Sequence, residues 1–390
     1  MTEIRTLCER ISRIDTHAHF DENYPPLNPI IETPTTENLI NSRVIAKGCR
    51  VLYDEEVGLF LRADTPKSVF EKAARLRKKG AWEAIDFALE KANIKKQLVF
   101  CSFQPEKFQP FANKNKNNKL HYIAFVDEVI NGNGQMPSPD FPEGETTLYS
   151  RLCELFGELK SLDDLLDLID KTIDNWRAKN VFGMKTAIAY TSGLKISKPK
   201  FNDARAAFNK KNEMKNDDYR LIRDFVFHHL LRACLRNNLP VVIHTGFQIW
   251  GHSNLEQSNP MLLHNILIDP EYKNLTFVLL HGGNPYVGET TYLAGMFPNV
   301  IIDFTWIVWM TPLRFKHALV EWLANVPNDK FMWGSDSQTP ESIAGIDRYC
   351  RRYIADALEM AIDEKVIDEK YGKEFIENAF CKTAKSVFGI

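Results

Sequence analysis

The stretch RIDTHAHF, residues 13–20, sets His17 and His19 one residue apart at the polar edge of an apolar-leaning run. In a β-strand, residues i and i+2 project to the same side, so the two imidazoles would face one direction. On a helix the same spacing would turn them apart. Neutral imidazole nitrogens are ligands for Zn²⁺, Mn²⁺ or Fe²⁺. Two are too few to hold a catalytic ion, so the remaining donors must come from other parts of the chain.

Three further polar residues occupy the same kind of position. LPVVIHTG, residues 239–246, runs into His244; LTFVLLHGG, residues 275–283, runs into His281; and KFMWGSD, residues 330–336, ends in Asp336. Four of the ten histidines thus stand at the polar ends of apolar runs. His228, His229, His264 and His317 fall in helical patterns, His121 begins an apolar run rather than ending one, and His252 sits in a loop. Imidazoles with one carboxylate suit a divalent ion that keeps a position open for water and lowers the pKa of that water towards about 7. Asp336 beside such a water would take its proton and pass it to a leaving group while also touching the ion. His281 would polarise a substrate carbonyl or hold the water. The glycines of HTGF and HGGN permit tight turns just past His244 and His281.

The elements that position these residues follow from the apolar pattern. Strands are expected at SRIDTHAH, KQLVFCSF, LHYIAFVD, VFGMKTAIA, LPVVIHTG, LTFVLLHGG, NVIIDFTW and KFMWGSD. Several are nearly continuous apolar runs, as in parallel strands buried on both faces. Helical patterns fall between them, including DYRLIRDFVFHHLLRACLRNN, NPMLLHNILIDPEY and PLRFKHALVEWLANV, with GIDRYCRRYIADALEMAIDEK after the last. Eight strands alternating with helices predict an α/β fold, a (β/α)8 TIM barrel, whose catalytic face is formed by the C-terminal strand ends. No Gly-rich phosphate loop follows the first strand, which argues against an open doubly wound sheet.

Three segments exceed a minimal barrel. Residues 21–96 are too long for one crossover, and LRADTPKSVFEKAARLRKKGAWEAIDFALEKA within them reads as two helices, so a helical insertion over the barrel mouth is expected after the first strand. Residues 131–147 read as a Gly- and Pro-rich loop. Residues 195–215 carry seven Lys/Arg against two acids. That excess would attract an anionic substrate, and a solvated face explains it more simply. The chain is read as a single domain over residues 1–390.

Composition bounds the rest. The chain is 44% hydrophobic and 26% charged, which supplies a sizeable core, and its net charge of −2 gives no reason to expect nucleic acid or an anionic membrane as partner. No run approaches the roughly 18 apolar residues of a membrane span. The N-terminus lacks the apolar core of a secretory signal. Seven scattered cysteines without a CxxC pair suit reduced thiols, so a cytoplasmic location is expected. Barrels of this size commonly associate, and a homo-oligomer is compatible with all of this.

The motifs DTHAH, VVIHTG, LLHGGNP and WGSDSQTPES, in this order and with barrel spacing, resemble the amidohydrolase superfamily, in particular its amidohydrolase-related branch. FIENAFCKTAKSVFG is similar to the short helix that closes such chains. The branch includes metal-dependent decarboxylases, lactone and amide hydrolases, and domains fused to glutamine synthetase. The resemblance implies His17, His19 and His244 as metal ligands and Asp336 as ligand and general base. It makes His281 a catalytic group or a ligand to a second ion. It implies one divalent ion, Zn²⁺ first, with Mn²⁺ or Fe²⁺ as alternatives. Two-metal relatives often carry a carbamylated lysine on the fourth strand, where VFGMKTAIAY offers Lys185. With one ion, Lys185 becomes a substrate contact or charge partner, since a buried lysine must meet an acid, an anion or water.

Gln248, Tyr286 and Trp306, with Trp250 and Trp309 nearby, are candidates for a pocket wall on which a planar or sugar-like substrate stacks. Arg50, within the insertion, is a candidate to grip a carboxylate. The expected activity is hydrolysis of an amide, lactone or related carbonyl compound. Decarboxylation and sugar-acid isomerisation are the rivals on the same fold, and a non-catalytic metal-binding barrel is the rival of another class.

Overall fold

A computed structural model describes residues 2–20, 55–64, 66–131, 148–248 and 254–390. Eight strands form one sheet in the order of the chain, β1 (Arg13–Ala18), β2 (Ile94–Ser102), β3 (Leu120–Phe125), β4 (Val181–Thr186), β5 (Val241–Ile243), β6 (Phe277–Leu279), β7 (Val300–Asp303) and β8 (Phe331–Met332), every pair parallel. All eight expected runs carry a strand. The last edge meets the first through a parallel bridge between Ala18 and Ser337, so the sheet curls into a nearly closed (β/α)8 TIM barrel.

The barrel interior is a compact apolar cluster of Ile14, Leu98, Phe100, Ile123, Val242, Val278, Leu280, Ile301 and Met332, to which the last helix, Thr383–Phe388, adds Ala384 and Phe388. A larger cluster fills the layer between sheet and helices, with Trp176, Trp322 and Trp333 fully buried. Alternation along β1 would put Ile14 and His17 on opposite faces. Yet His17 lies against Phe100 of the interior cluster, ring centroids 4.7 Å apart. The register of β1 on β2 shifts between Asp15 and Ala18, and this bulge-like irregularity turns His17 inward.

Between β1 and β2, helices Pro66–Arg77 and Ala81–Lys91 occupy the expected positions, with the break at Gly80, whose φ of +118° admits few other residues. Residues 55–61 are also helical, and residues 21–54 of the expected insertion lie outside the described residues. The insertion packs on helix Pro340–Asp363, which follows β8: Arg77 pairs with the buried Glu341, and Arg348 Nε donates to Glu56 at 3.0 Å. The loop expected at 131–147 lies outside the described residues from 132 onwards.

One helix departs from expectation. NPMLLHNILIDPEY folds as short turns at Pro260–Leu263, His264–Leu267 and Pro270–Tyr272 rather than as one helix. Pro260 and Pro270 each start a new turn, and the Asn259 and Asp269 side chains cap them through the amides of Met261 and Glu271. Among the described residues, no helix is long and apolar enough to cross a membrane.

Candidate metal centre

Because all strands run parallel, their C-terminal ends form one face, and the polar residues collect there. His17 lies on β1 and His19 just past it; Lys185 lies on β4; His244 follows β5; His281 follows β6; Asp303 ends β7; and Asp336 follows β8. Neighbouring turns are tight. Gly246 has φ +72°, and a Cβ there would come within 2.2 Å of the Asn284 carbonyl oxygen.

Three donors converge. His17 Nε2 and His19 Nε2 are 3.1 Å apart, and Asp336 Oδ1 lies 3.2 Å from the first and 3.1 Å from the second. Two imidazole nitrogens and a carboxylate oxygen at such separations are satisfied by protons on the imidazoles or by a cation among all three. This donor set fits Zn²⁺, Mn²⁺ or Fe²⁺. His17 is buried, whereas the His19 side chain is 40% exposed and marks the open side of the cluster. Burial depresses His17 to a pKa of about 4, partly offset by Asp336, so the imidazole is neutral at pH 7, as a ligand must be. Burial alone would raise Asp336, but His17 and His19 outweigh it and hold the carboxyl well below the usual range.

His244 and His281 form a second pair beside the first. His244 Nε2 donates to the Phe247 carbonyl at 2.8 Å, and His281 Nδ1 faces the Thr305 carbonyl at 3.3 Å. A carbonyl only accepts, so those two nitrogens carry the protons of the neutral rings. The inward nitrogens, His281 Nε2 and His244 Nδ1, then present lone pairs to each other at 3.0 Å, a geometry suited to a shared proton or a nearby cation. Burial holds both rings neutral, well below the ordinary histidine range, with Lys185 adding to the effect on His244 and His244 to that on His281. His281 approaches the first cluster, its ring 5.6 Å from that of His17. His244, expected as the third imidazole ligand, sits with His281 rather than within the triad of His17, His19 and Asp336.

The remaining candidates divide. Trp306 is at the site, its ring 4.7 Å from His281 and 6.1 Å from His244. Lys185 is buried with its ammonium 5.4 Å from the centre of Phe100; burial lowers its pKa to about 7 against the pull of Asp336, Asp127 and Asp303. Gln248 is buried and donates to the Ala189 carbonyl. The half-buried Tyr286 donates to the Leu255 carbonyl at 3.2 Å, and among the described residues no hydrogen bond or ring contact links it to the histidines. Arg50, Trp250 and His252 lie outside the described residues. The basic run at 195–215 is in part neutralised at the surface, Lys198 by Asp269 and Glu271 and Lys210 by Asp218.

Several residues at the site escaped the sequence reading. Asp127 and Asp303 both end apolar runs, FVD and IID, so the rule that singled out the histidines would have found them. Burial raises each to about 6, and hydroxyl and backbone donors, Thr186 on one and Thr16 and Thr305 on the other, pull the opposite way. Tyr190, with its ring 4.5 Å from that of His244, and Phe100, against His17 and His19, complete an aromatic wall that no spacing signalled.

Comparison with known proteins adds to this geometry. Residues 207–390 match the family model described as Amidohydrolase. The matched segment carries His244, His281 and Asp336, and the HxH pair lies upstream of it. The protein fluG of Emericella nidulans is 29% identical to this chain in an alignment of length 225 that covers 53% of this chain and 25% of fluG; the match thus spans about a quarter of that curated relative. A Lactobacillus casei protein described as a metal-dependent hydrolase superposes with a TM-score of 0.75 at 16% identity, covering 100% of this chain and 98% of the other. Uronate isomerase of Thermotoga maritima superposes with a TM-score of 0.76 at 14% identity, covering 99% and 96%. At such identities the likeness is one of fold: the chain shares the barrel architecture of these two proteins.

Proposed function

We propose that this chain is a metal-dependent hydrolase acting on an amide, lactone or related carbonyl compound. The observation that carries the reading is the triad of His17, His19 and Asp336 on the C-terminal face of the barrel, with His281 adjoining it. His17, His19 and Asp336 would hold one divalent ion, Zn²⁺ first, with Mn²⁺ or Fe²⁺ as alternatives, and His244, which pairs with His281, would be the third imidazole ligand. A bound ion of this kind acidifies water and polarises a carbonyl oxygen. Asp336 turns Oδ1 to the two histidines, and its Oδ2 takes the proton of the water that adds to the carbonyl and delivers it to the leaving group. His281, fixed by Thr305, presents an accepting Nε2 that orients the water or substrate. Trp306, Phe100 and Tyr190 exclude bulk water, and Lys185 meets an anionic substituent. The setting is a cytoplasmic one, with a small-molecule substrate.

A second reading, sugar-acid isomerisation, draws on the likeness to the Thermotoga uronate isomerase, which covers 99% of this chain. Turnover of a panel of lactones, amides and uronates in H₂¹⁸O separates the two. Label in a product heavier by one water supports hydrolysis, and a product of unchanged mass supports isomerisation. Release of CO₂ would move the assignment to a decarboxylase.

A further inference from the structure

Asp15, fully buried, accepts four hydrogen bonds, two on each oxygen. Oδ1 receives the amides of Ser335 at 2.7 Å and His17 at 3.2 Å, and Oδ2 receives Ser335 Oγ at 2.5 Å and Gln97 Nε2 at 2.7 Å. A carboxylate only accepts, so the Ser335 hydroxyl directs its proton to Asp15, with the His17 carbonyl a longer second acceptor at 3.3 Å, and its oxygen is left to accept from others. Ser337 supplies both donors, its hydroxyl at 2.7 Å and its amide at 3.1 Å. Ser337 in turn receives the His19 amide on its carbonyl at 2.9 Å. Between the two serines sits Asp336, a non-glycine residue with φ +53°, a conformation that persists only where the surroundings impose it.

We propose that Asp15, acting through Ser335 and Ser337, is the positioning residue that holds Asp336 in its left-handed conformation against His17 and His19. All three members of the triad depend on this one carboxylate: His17 through its own amide, Asp336 through the serines on either side, and His19 through the Ser337 carbonyl. An asparagine at 15 puts an NH₂ where two donors already point, whichever way it is turned. The inference rests on the metal-centre reading for its consequence and on the hydrogen bonds alone for its cause.

The test compares Asp15→Asn and Ser335→Ala with Leu165→Ala, a cavity-forming control in the outer core on helix Leu162–Asp174. Two readouts are taken at a temperature where all the proteins are folded: the Zn²⁺ dissociation constant by chelator competition, and amide hydrogen exchange of residues 333–338 in metal-free protein. The expected result is Zn²⁺ binding weakened by about 10–100-fold in both site variants. Exchange in that segment should quicken by about tenfold or more. The control should lower Tm and leave both readouts at wild-type values. Wild-type exchange and affinity in Ser335→Ala would overturn the proposal, and so would equal losses in Leu165→Ala. If Asp15→Asn does not fold, Ser335→Ala decides alone. If the wild-type protein binds no Zn²⁺, the metal-centre reading fails, and exchange in Ser335→Ala still decides whether Asp15 holds Asp336.

Discussion

The amide of Asp336 donates to the carbonyl of His17 at 2.8 Å, so two members of the triad are also hydrogen-bond partners in the seam that closes the barrel. The same seam carries Thr16 to Trp333 at 3.2 Å and His19 to Ser337 at 2.9 Å. Barrel closure and site geometry are therefore one structural fact: a shift of β8 against β1 moves Asp336 relative to both histidines.

Gly334 tests this coupling. A Cβ there would stand 2.5 Å from Thr305 Oγ1 and 2.8 Å from His17 Cβ, so Gly334→Ala must push the seam apart. Overpacking of this kind costs about 1–3 kcal/mol. The expected outcome is a lower Tm together with weakened Zn²⁺ binding, read by thermal unfolding and chelator competition. A fall in Tm with unchanged affinity would mean that seam and site are separable.

His281 should behave differently from the residues of the triad. His17→Ala, His19→Ala and Asp336→Asn each remove an atom of the triad and should weaken metal binding by more than about 100-fold, beyond the loss typical of outer partners. His281→Ala removes a ring that adjoins the triad, so it should retain the ion and lose about 10²–10⁴-fold in turnover. Elemental mass spectrometry of each protein, purified without chelator, checks both. Full metal content in His17→Ala would sink the site.

The barrel was legible because each strand is a short apolar, β-branched run, and a polar residue at its end is visible as such. Asp127 and Asp303 end the apolar runs FVD and IID in the same way and are legible by the same rule. The turns at Pro260 and Pro270 are likewise written in the chain, where each proline interrupts an apolar spacing that by itself predicts one helix. What no local pattern shows is the register shift that turns His17 inward, because it depends on how β1 meets β2. Nor does spacing reveal that His281, Trp306 and Asp336 take positive φ values of 65°, 73° and 53°. Those conformations are imposed by neighbours distant in sequence.

The insertion is anchored by a buried pair. Arg77, from helix Pro66–Arg77, bonds both oxygens of Glu341, with Nε at 3.3 Å from Oε2, and the Glu341 side chain is 2% exposed. Removing one partner of such a pair strands the other charge and costs about 3–5 kcal/mol. Arg77→Ala should fall near the lower end, about 3 kcal/mol, because the Arg77 side chain keeps 15% exposure to solvent. Adding Glu341→Gln to Arg77→Ala should recover much of the loss in urea unfolding. No recovery would show that Arg77 acts through packing rather than charge.

Lys185 gives the pH dependence. Its pKa is lowered by burial from 10.5 to about 7 in the folded protein. Between those values the unfolded chain holds a proton that the folded chain has released, so stability rises with pH across this window; below about 7 both states are charged and the folded state bears the full penalty of burial. The slope contributed is at most about 1.4 kcal/mol per pH unit. Above pH 9 the buried thiols of Cys8, Cys101, Cys234 and Cys350, which burial raises, act in the opposite sense, so pH 7 to 9 is the window to measure. Metal-free wild type should become more stable to urea across it, and Lys185→Met should be more stable than wild type at pH 7 and show a flatter profile. Parallel profiles in the two proteins would show that the Lys185 ammonium is solvated in the folded state, and the case for an anionic substrate group beside it would fall with that result.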